Sequence, residues 1–144
     1  MKKVLIFGTF DILHKGHIYL IEKASELGEV HVVIARDETV LKVKGKSSLN
    51  DENYRLEKVC SLSIVKKCYL GNLGDKYKIV EEIAPDIILL GYDQNIFTKR
   101  LEESLLKRGV KCDIVRCDSY FPDKYKSSLI REKKLLNNKV TNLK

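Results

Sequence analysis

No apolar run in this 144-residue sequence approaches the roughly 18 residues that a membrane-spanning helix needs. The apolar stretch near the N-terminus, Val4–Phe7, ends at Gly8 after four residues, so it is typical of a first β-strand rather than of a signal peptide. Internal repeats and low-complexity linkers are also lacking. These absences favour one cytoplasmic domain, which is the number expected for this length.

A metal-binding cysteine pattern is lacking as well. The sequence has no Cys-x-x-Cys pair, and no histidine lies near Cys112 or Cys117. A zinc site is therefore not expected, and reduced thiols in a cytosolic protein are the favoured interpretation. Cys112 and Cys117 are the candidates for any functional thiol, because they flank a predicted strand near the candidate site.

The net charge of +7 is not concentrated in any block of five or more like charges. The densest lysine clusters lie at 42–46, 124–126 and 133–134. A positive balance of this kind suits nucleic acid, but it suits an enzyme for polyphosphate substrates equally well, because it raises the local concentration of anions.

Apolar runs alternate with segments of helical period along the chain. The predicted strands are 4–7, 30–35, 64–70, 87–90 and 110–115. The predicted helices are 16–27, one capped by Asn50 or Asp51, 75–84, 97–108, and one from about 127. This alternation predicts a single α/β domain, a doubly wound five-stranded parallel sheet with a C-terminal helix. We place the domain at 1–131, followed by a polar helix end or tail at 132–144.

The first predicted strand leads into Gly8-Thr9-Phe10-Asp11-Ile12-Leu13-His14-Lys15-Gly16-His17. Ligands of doubly wound sheets bind where strands end, near the point at which strand order reverses. His14 and His17 are three residues apart and can face one point at the start of a helix, whose free amides attract anions. Gly8 permits a sharp turn, and Gly16 leaves room for a phosphate. The spacing predicts a site for a phosphoryl group that gains charge.

This motif resembles the H-x-G-H superfamily of nucleotidyltransferases, in the cytidylyltransferase-like form G-T-F-D-x-L-H-x-G-H. The resemblance implies a Rossmann-like fold. It also implies transfer of a nucleotidyl group from a nucleoside triphosphate to an anionic acceptor, with pyrophosphate leaving and Mg²⁺ assisting. His14 and His17 are then the catalytic residues, and Asp11 stabilises the loop instead of acting as a base.

Two further segments resemble parts of this superfamily. Lys42-Val43-Lys44-Gly45-Lys46 is similar to its lysine-bearing mobile loop over the triphosphate, although a solvated loop is the plain alternative. Arg55 resembles the arginine that reaches the acceptor, and an exposed helix arginine is the alternative. The resemblance and the motif together predict nucleotide contacts at Gly8, Thr9, Phe10, His14, Lys15, Gly16, His17, Lys44, Lys46, Asp93, Tyr120, Ser127 and Ser128.

The end of the chain departs from the superfamily. Ser127 and Ser128 match its phosphate-binding hydroxyls, but the R-T-x-G-I that precedes them elsewhere is replaced by Cys117-Asp118-Ser119-Tyr120-Phe121-Pro122 after Arg116. This leaves the base preference open. The segments 85–94 and 35–40 look more like archaeal FAD synthases, in which ATP is the donor and FMN the acceptor. Four aromatic side chains are candidates for an FMN wall: Tyr92, Phe97, Tyr120 and Phe121.

Two other functions stay open at this stage. A glycerol-3-phosphate cytidylyltransferase that uses CTP is the alternative enzyme. A non-catalytic nucleotide-binding regulatory module is the alternative of another class, which the intact pair His14 and His17 disfavours. Nucleic acid and membrane partners are not expected, because basic and aromatic residues are not interleaved and no span is present. A homodimer is expected from the resemblance and from the frequency of symmetric dimers.

Overall fold

The computed structural model describes residues 1–75, 77–91 and 98–118, with only the backbone at 98 and 99. Its strands are β1 (Lys3–Gly8), β2 (Glu29–Ile34), β3 (Val65–Leu70), β4 (Ile87–Leu90) and β5 (Asp113–Arg116). Its helices are α1 (Lys15–Leu27), α2 (Asp37–Lys44), α3 (Glu52–Cys60), α4 (Lys78–Ile83) and α5 (Thr98–Lys107). All described strand pairs are parallel, in the order β3-β2-β1-β4-β5. The predicted doubly wound α/β fold is confirmed.

The strand order reverses between β1 and β4, and these two strands pair only briefly. Strand β1 pairs with β2 along its whole length, from Lys3–Glu29 to Gly8–Ile34. The pairing described between β1 and β4 consists of Val4–Ile87 and Leu5–Ile88. The carboxyl end of β1 therefore lies beside the switch point, where open α/β sheets bind ligands.

The sheet is buried on both faces, as expected for parallel strands joined by helical crossovers. Side chains of β1 and β2 such as Val4, Ile6 and Val32 pack with Ile21 of α1 and Val59 of α3 on one face. A second cluster on the other face joins the sheet to α4 and α5, and it contains Leu5, Val33, Ile79, Val80, Ile83, Ile88, Leu90, Leu101 and Leu105. This packing fixes the strand ends from which the site is built.

Two differences from the sequence-based elements have local causes. The sequence predicts a loop at 42–46, whereas helix α2 extends to Lys44. The predicted fifth strand, 110–115, begins too early: the Val110 N–H donates to the Leu105 carbonyl at 2.9 Å, and Gly109 has a φ of 71°. This left-handed ending of α5 uses Val110, so the strand starts at Asp113.

The predicted domain boundary at 131/132 and the predicted last helix lie outside the described residues. Among the described residues, no helix is both long and apolar enough to cross a bilayer.

Candidate active site

The turn after β1 is built around a buried aromatic ring. Phe10 is only 2% exposed, and its φ of 51° is unusual for a residue with a side chain. A Cβ atom on Gly8 would lie 2.5 Å from Phe10 Cε2, so glycine is required at position 8 for the ring to pack there. The Phe10 ring also meets the His17 ring edge-on, with centroids 5.0 Å apart.

His14 and His17 cap the N-terminus of α1 reciprocally. The Gly16 N–H donates to His14 Nδ1 at 3.0 Å, and the His14 N–H donates to His17 Nδ1 at 3.4 Å. The two rings are stacked, with centroids 3.8 Å apart and planes 18° apart. Because each Nδ1 accepts a hydrogen bond, each neutral ring carries its proton on Nε2. The cap therefore turns both imidazoles into Nε2–H donors at a helix N-terminus.

Gly16 leaves room for the His14 ring, besides its predicted role of leaving room for a phosphate. A Cβ at position 16 would lie 2.9 Å from His14 Cε1, so a side chain there would displace the His14 ring. Gly16 is thus required by the stacked pair of imidazoles.

Arg55 matches neither of its two predicted roles, which are contact with the acceptor and an exposed position on a helix. Its side chain is fully buried (0% exposed), so it is not an exposed helix arginine. Its Nη1 donates to the carbonyls of Thr9 and Ala35, both at 2.9 Å, its Nε donates to the Asn50 carbonyl at 3.0 Å, and its Nη2 pairs with Asp37 at 2.7 Å. A guanidinium used in this way does not face an acceptor substrate. The expectation that Arg55 contacts the acceptor is therefore wrong for this structure.

Asp11 links the turn after β1 to the segment that precedes α3. Its carboxylate accepts from the N–H groups of Leu49 and Asn50 at 2.7 and 2.8 Å, and its carbonyl accepts from Asn50 Nδ2 at 2.7 Å. Burial opposes ionisation of Asp11, but these bonds and the charge of Arg55 outweigh it and lower the pKa of Asp11. Its predicted function as a loop-stabilising residue is confirmed.

Asp37, at the start of α2, is not among the site residues predicted from the sequence. The hydrogen bond from Arg55 is the main reason why its pKa is lowered. Asp37 and Glu52 also accept from each other's backbone N–H groups, at 3.2 and 2.8 Å. The signal available was an acidic residue at each helix start, Asp37 and Glu52, which is typical of N-terminal first turns.

These two lowered pKa values predict acid sensitivity. A carboxyl group with a lowered folded-state pKa contributes stability above its unfolded pKa, and this contribution is lost as the pH falls through the folded pKa. We expect the free energy of unfolding to decrease as the pH is lowered beyond about 3.8, the ordinary pKa of an aspartate carboxyl group. Denaturant titrations from pH 6 to pH 2.5 should show a smaller fall for Asp11→Asn, and an identical fall would contradict the assignment.

The lysine segment is partly helical. Lys42 and Lys44 lie in the last turn of α2, which ends at Gly45 with a φ of 76°, and Lys46 follows. All three lysines are exposed, and Lys42 Nζ lies 3.4 Å from a Glu38 carboxylate oxygen. The interpretation of 42–46 as a loop was therefore wrong for 42–44. The signal that was missed is Asp37-Glu38 in the first turn, lysines in the last and glycine after it.

The thiols near the sheet end have pKa values unsuited to nucleophilic chemistry. Burial, followed by the nearby Asp118 charge, raises the pKa of Cys117 to about 11. Burial also raises the pKa of Cys112, with Asp113 and Asp86 adding to it. Both groups stay protonated near neutral pH, which is typical of structural cysteines.

Several expected site residues are outside the described part of the chain: Tyr92, Asp93, Phe97, Tyr120, Phe121, Ser127 and Ser128. The structure does bring together Gly8, Thr9, Phe10, His14, Gly16 and His17 at the switch point. Among the described residues, no group of three or more histidines, cysteines or acidic residues could hold a metal ion.

The chain is similar to a known family and to several named proteins. Residues 5–133 match the family model described as cytidylyltransferase-like. The chain is 48% identical over 122 residues to an FAD synthase of Methanobrevibacter ruminantium, covering 82% of this chain and 81% of the relative. It is 42% identical over 134 residues to an FAD synthase of Thermoplasma volcanium, covering 92% of this chain and 94% of the relative.

A solved structure shares the fold closely. It is described as the lipopolysaccharide core biosynthesis protein of Thermoplasma volcanium, with a TM-score of 0.78 and 43% identity over 83% of this chain and 98% of the other. Both the residues of the motif and these likenesses lead to one assignment. The chain belongs to the cytidylyltransferase-like family of nucleotidyltransferases and, within it, to the archaeal FAD synthases.

Proposed function

We propose that this enzyme transfers AMP from ATP to FMN, giving FAD and pyrophosphate. The observation that carries the proposal is the stacked pair His14 and His17, which presents two Nε2–H donors at the N-terminus of α1 beside the switch point. The donor and the acceptor are taken from relatives named FAD synthase that are 42–48% identical to the chain.

The FMN phosphate attacks the α-phosphorus of ATP in line, and pyrophosphate leaves from the opposite side. The attacking oxygen is already ionised at neutral pH, so no protein base is required. Catalysis then consists of positioning and charge stabilisation, as in other phosphoryl and nucleotidyl transfers. His14 and His17 donate to the oxygens of the α-phosphate, on which charge builds up in the transition state.

A divalent cation, Mg²⁺ in this proposal, accompanies the nucleotide. Mg²⁺ in nucleotide sites commonly takes most of its ligands from phosphates and water. It therefore does not require a cluster of acidic residues, and the described residues contain no such cluster. When bound, the ion neutralises charge on the β- and γ-phosphates. We also propose a cytoplasmic location and a homodimer, the latter from the prevalence of two-fold oligomers.

Lys44 and Lys46 are proposed to bind the β- and γ-phosphates. Replacing either with alanine should weaken ATP binding roughly tenfold to a hundredfold, because a hydrogen bond to a charged group contributes about 1.5–3 kcal/mol. AMP binding should change little, since AMP lacks those phosphates. Lys42→Ala is the matched control, because Lys42 already pairs with Glu38 on the same helix turn. Calorimetric titrations that show equal losses for ATP and AMP would reject the assignment.

The substrate pair is tested by a pyrophosphate-release screen. ATP and CTP are each combined with FMN, glycerol 3-phosphate, phosphocholine and sugar phosphates. We expect release from ATP with FMN and little from CTP with glycerol 3-phosphate. Release only from CTP with glycerol phosphate would replace the proposal by the cytidylyltransferase alternative. ATP binding without release from any pair would favour the non-catalytic regulatory module.

A further inference from the structure

Arg55 touches the turn that carries the nucleotide site, although it does not face a substrate. Its Nη1 donates to the Thr9 carbonyl at 2.9 Å and to the Ala35 carbonyl at 2.9 Å. Thr9 precedes Phe10 in the turn after β1, and Ala35 follows the end of β2. The guanidinium therefore fixes the turn against the neighbouring strand, on the side away from β4.

The direction of the Thr9 carbonyl determines where the next N–H group points. No described peptide bond is cis, and in a trans peptide the C=O and N–H point in opposite directions. The Phe10 N–H is thus directed away from Arg55. The preceding peptide behaves alike: the Gly8 carbonyl accepts from the Ala35 N–H at 2.9 Å, so the Thr9 N–H points toward the β4 side.

These two N–H groups have no acceptor among the residues that the structure describes. Their directions are fixed by bonds to the other side of the turn. Arg55 itself is held by the Asp37 carboxylate and the Asn50 carbonyl. The Asn50 N–H also donates to the carboxylate of Asp11, the residue that follows Phe10. Donors oriented before the substrate arrives stabilise developing charge without reorganisation of the protein.

We propose that Arg55 is a positioning residue for nucleotidyl transfer: by holding the Thr9 carbonyl, it directs the Phe10 N–H to the α-phosphate. This inference rests on the proposed nucleotidyl transfer. The buried guanidinium then acts on the transition state indirectly, by orienting the peptide group between Thr9 and Phe10. Arg55→Lys keeps the charge beside Asp37 but lacks the planar fork that binds several acceptors at once.

The direct test replaces the Thr9–Phe10 amide with an ester, by incorporating phenyllactic acid at position 10. This removes the Phe10 N–H and weakens the Thr9 carbonyl as an acceptor, and the phenyl ring is kept. FAD formation is measured for the ester enzyme, for Arg55→Lys and for the combination. We expect kcat to fall roughly a hundredfold in the ester enzyme, as for loss of one transition-state donor, with the KM for ATP little changed.

Arg55→Lys should lower kcat in the same way, and the combination should lose no more than the larger single change. Interacting groups give such non-additive effects, whereas independent ones add. Arg36→Lys is the control: Arg36 bonds Glu52 and the Gly71 carbonyl, away from the turn. An ester enzyme with the kcat of the parent, or additive losses in the combination, would overturn the proposal.

If Arg55→Lys does not fold, the kcat of the ester enzyme alone can still overturn the proposal. Failure of this inference is distinguishable from failure of the proposed function. If the unmodified enzyme makes no FAD from ATP and FMN, the proposed function is wrong. If the unmodified and ester enzymes make FAD equally fast, only the assignment of Arg55 and the Phe10 N–H is wrong.

Discussion

His14→Asn and His17→Gln are each expected to lower kcat by about two to three orders of magnitude, the usual loss when a transition-state donor is removed. Both variants are chosen to keep the helix cap. Asparagine is a good N-cap residue, and glutamine three positions later completes a capping box. The loss in activity should therefore come without a comparable loss in stability. Rapid-quench measurement of FAD formation, beside thermal unfolding of each variant, provides both values.

Alanine variants separate the two functions of the imidazoles. His14→Ala removes the cap to Gly16 as well as the Nε2 donor, so it should lose the same activity and, in addition, about 1 kcal/mol of stability. Nucleotide affinity should change far less than kcat in all these variants. Near-normal turnover in His14→Asn or His17→Gln would show that the paired imidazoles do not carry the chemistry.

Arg55→Met is expected to have the largest effect on stability. It removes the donor that now satisfies the carbonyls of Thr9 and Ala35, and it takes one of their donors from the Asp37 carboxylate and the Asn50 carbonyl. Asp37 is 46% exposed, so its charge can be solvated, but a buried carbonyl that loses its donor typically costs about 1–3 kcal/mol. With two carbonyls affected, we expect a loss of about 3–5 kcal/mol. For a domain of this size, that corresponds to a fall in Tm of roughly 10 °C or more.

The matched control is Arg36→Met, one residue before Asp37. Arg36 pairs with Glu52 at 3.1 Å, but its side chain is 30% exposed, so its removal should cost about 1 kcal/mol or less. Urea denaturation of the two variants gives the comparison. Equal losses would mean that the buried Arg55 network contributes no more than a surface ion pair.

The arrangement of strands and the chemistry of the first turn were predictable, because both depend on local pattern. Val4–Phe7 is a continuous apolar run, and the two histidines follow it at helical spacing. The function of Arg55 was not predictable in the same way. Its guanidinium binds four acceptors that lie far apart in the sequence, namely the carbonyls of Thr9, Ala35 and Asn50 and the carboxylate of Asp37. Only the folded chain brings these acceptors together.

The two glycines of the motif show the same limit. The residue type predicts a sharp turn at Gly8 and space for an anion at Gly16. The structure adds that the Phe10 ring and the His14 ring occupy the space beside them, at 2.5 and 2.9 Å from the positions a Cβ would take. Side-chain packing across a turn cannot be derived from the spacing of residues along a sequence.

The central claim is that the α-phosphorus of ATP passes to FMN, and isotopic labelling tests it most directly. The enzyme is incubated with FMN and ATP labelled at the α-phosphorus, or at the γ-phosphorus in a parallel reaction, with Mg²⁺ present. We expect that the α label appears in FAD, that the γ label appears in pyrophosphate, and that the two products form in equal amounts. Label found only in AMP or ADP, with no labelled FAD, would contradict it.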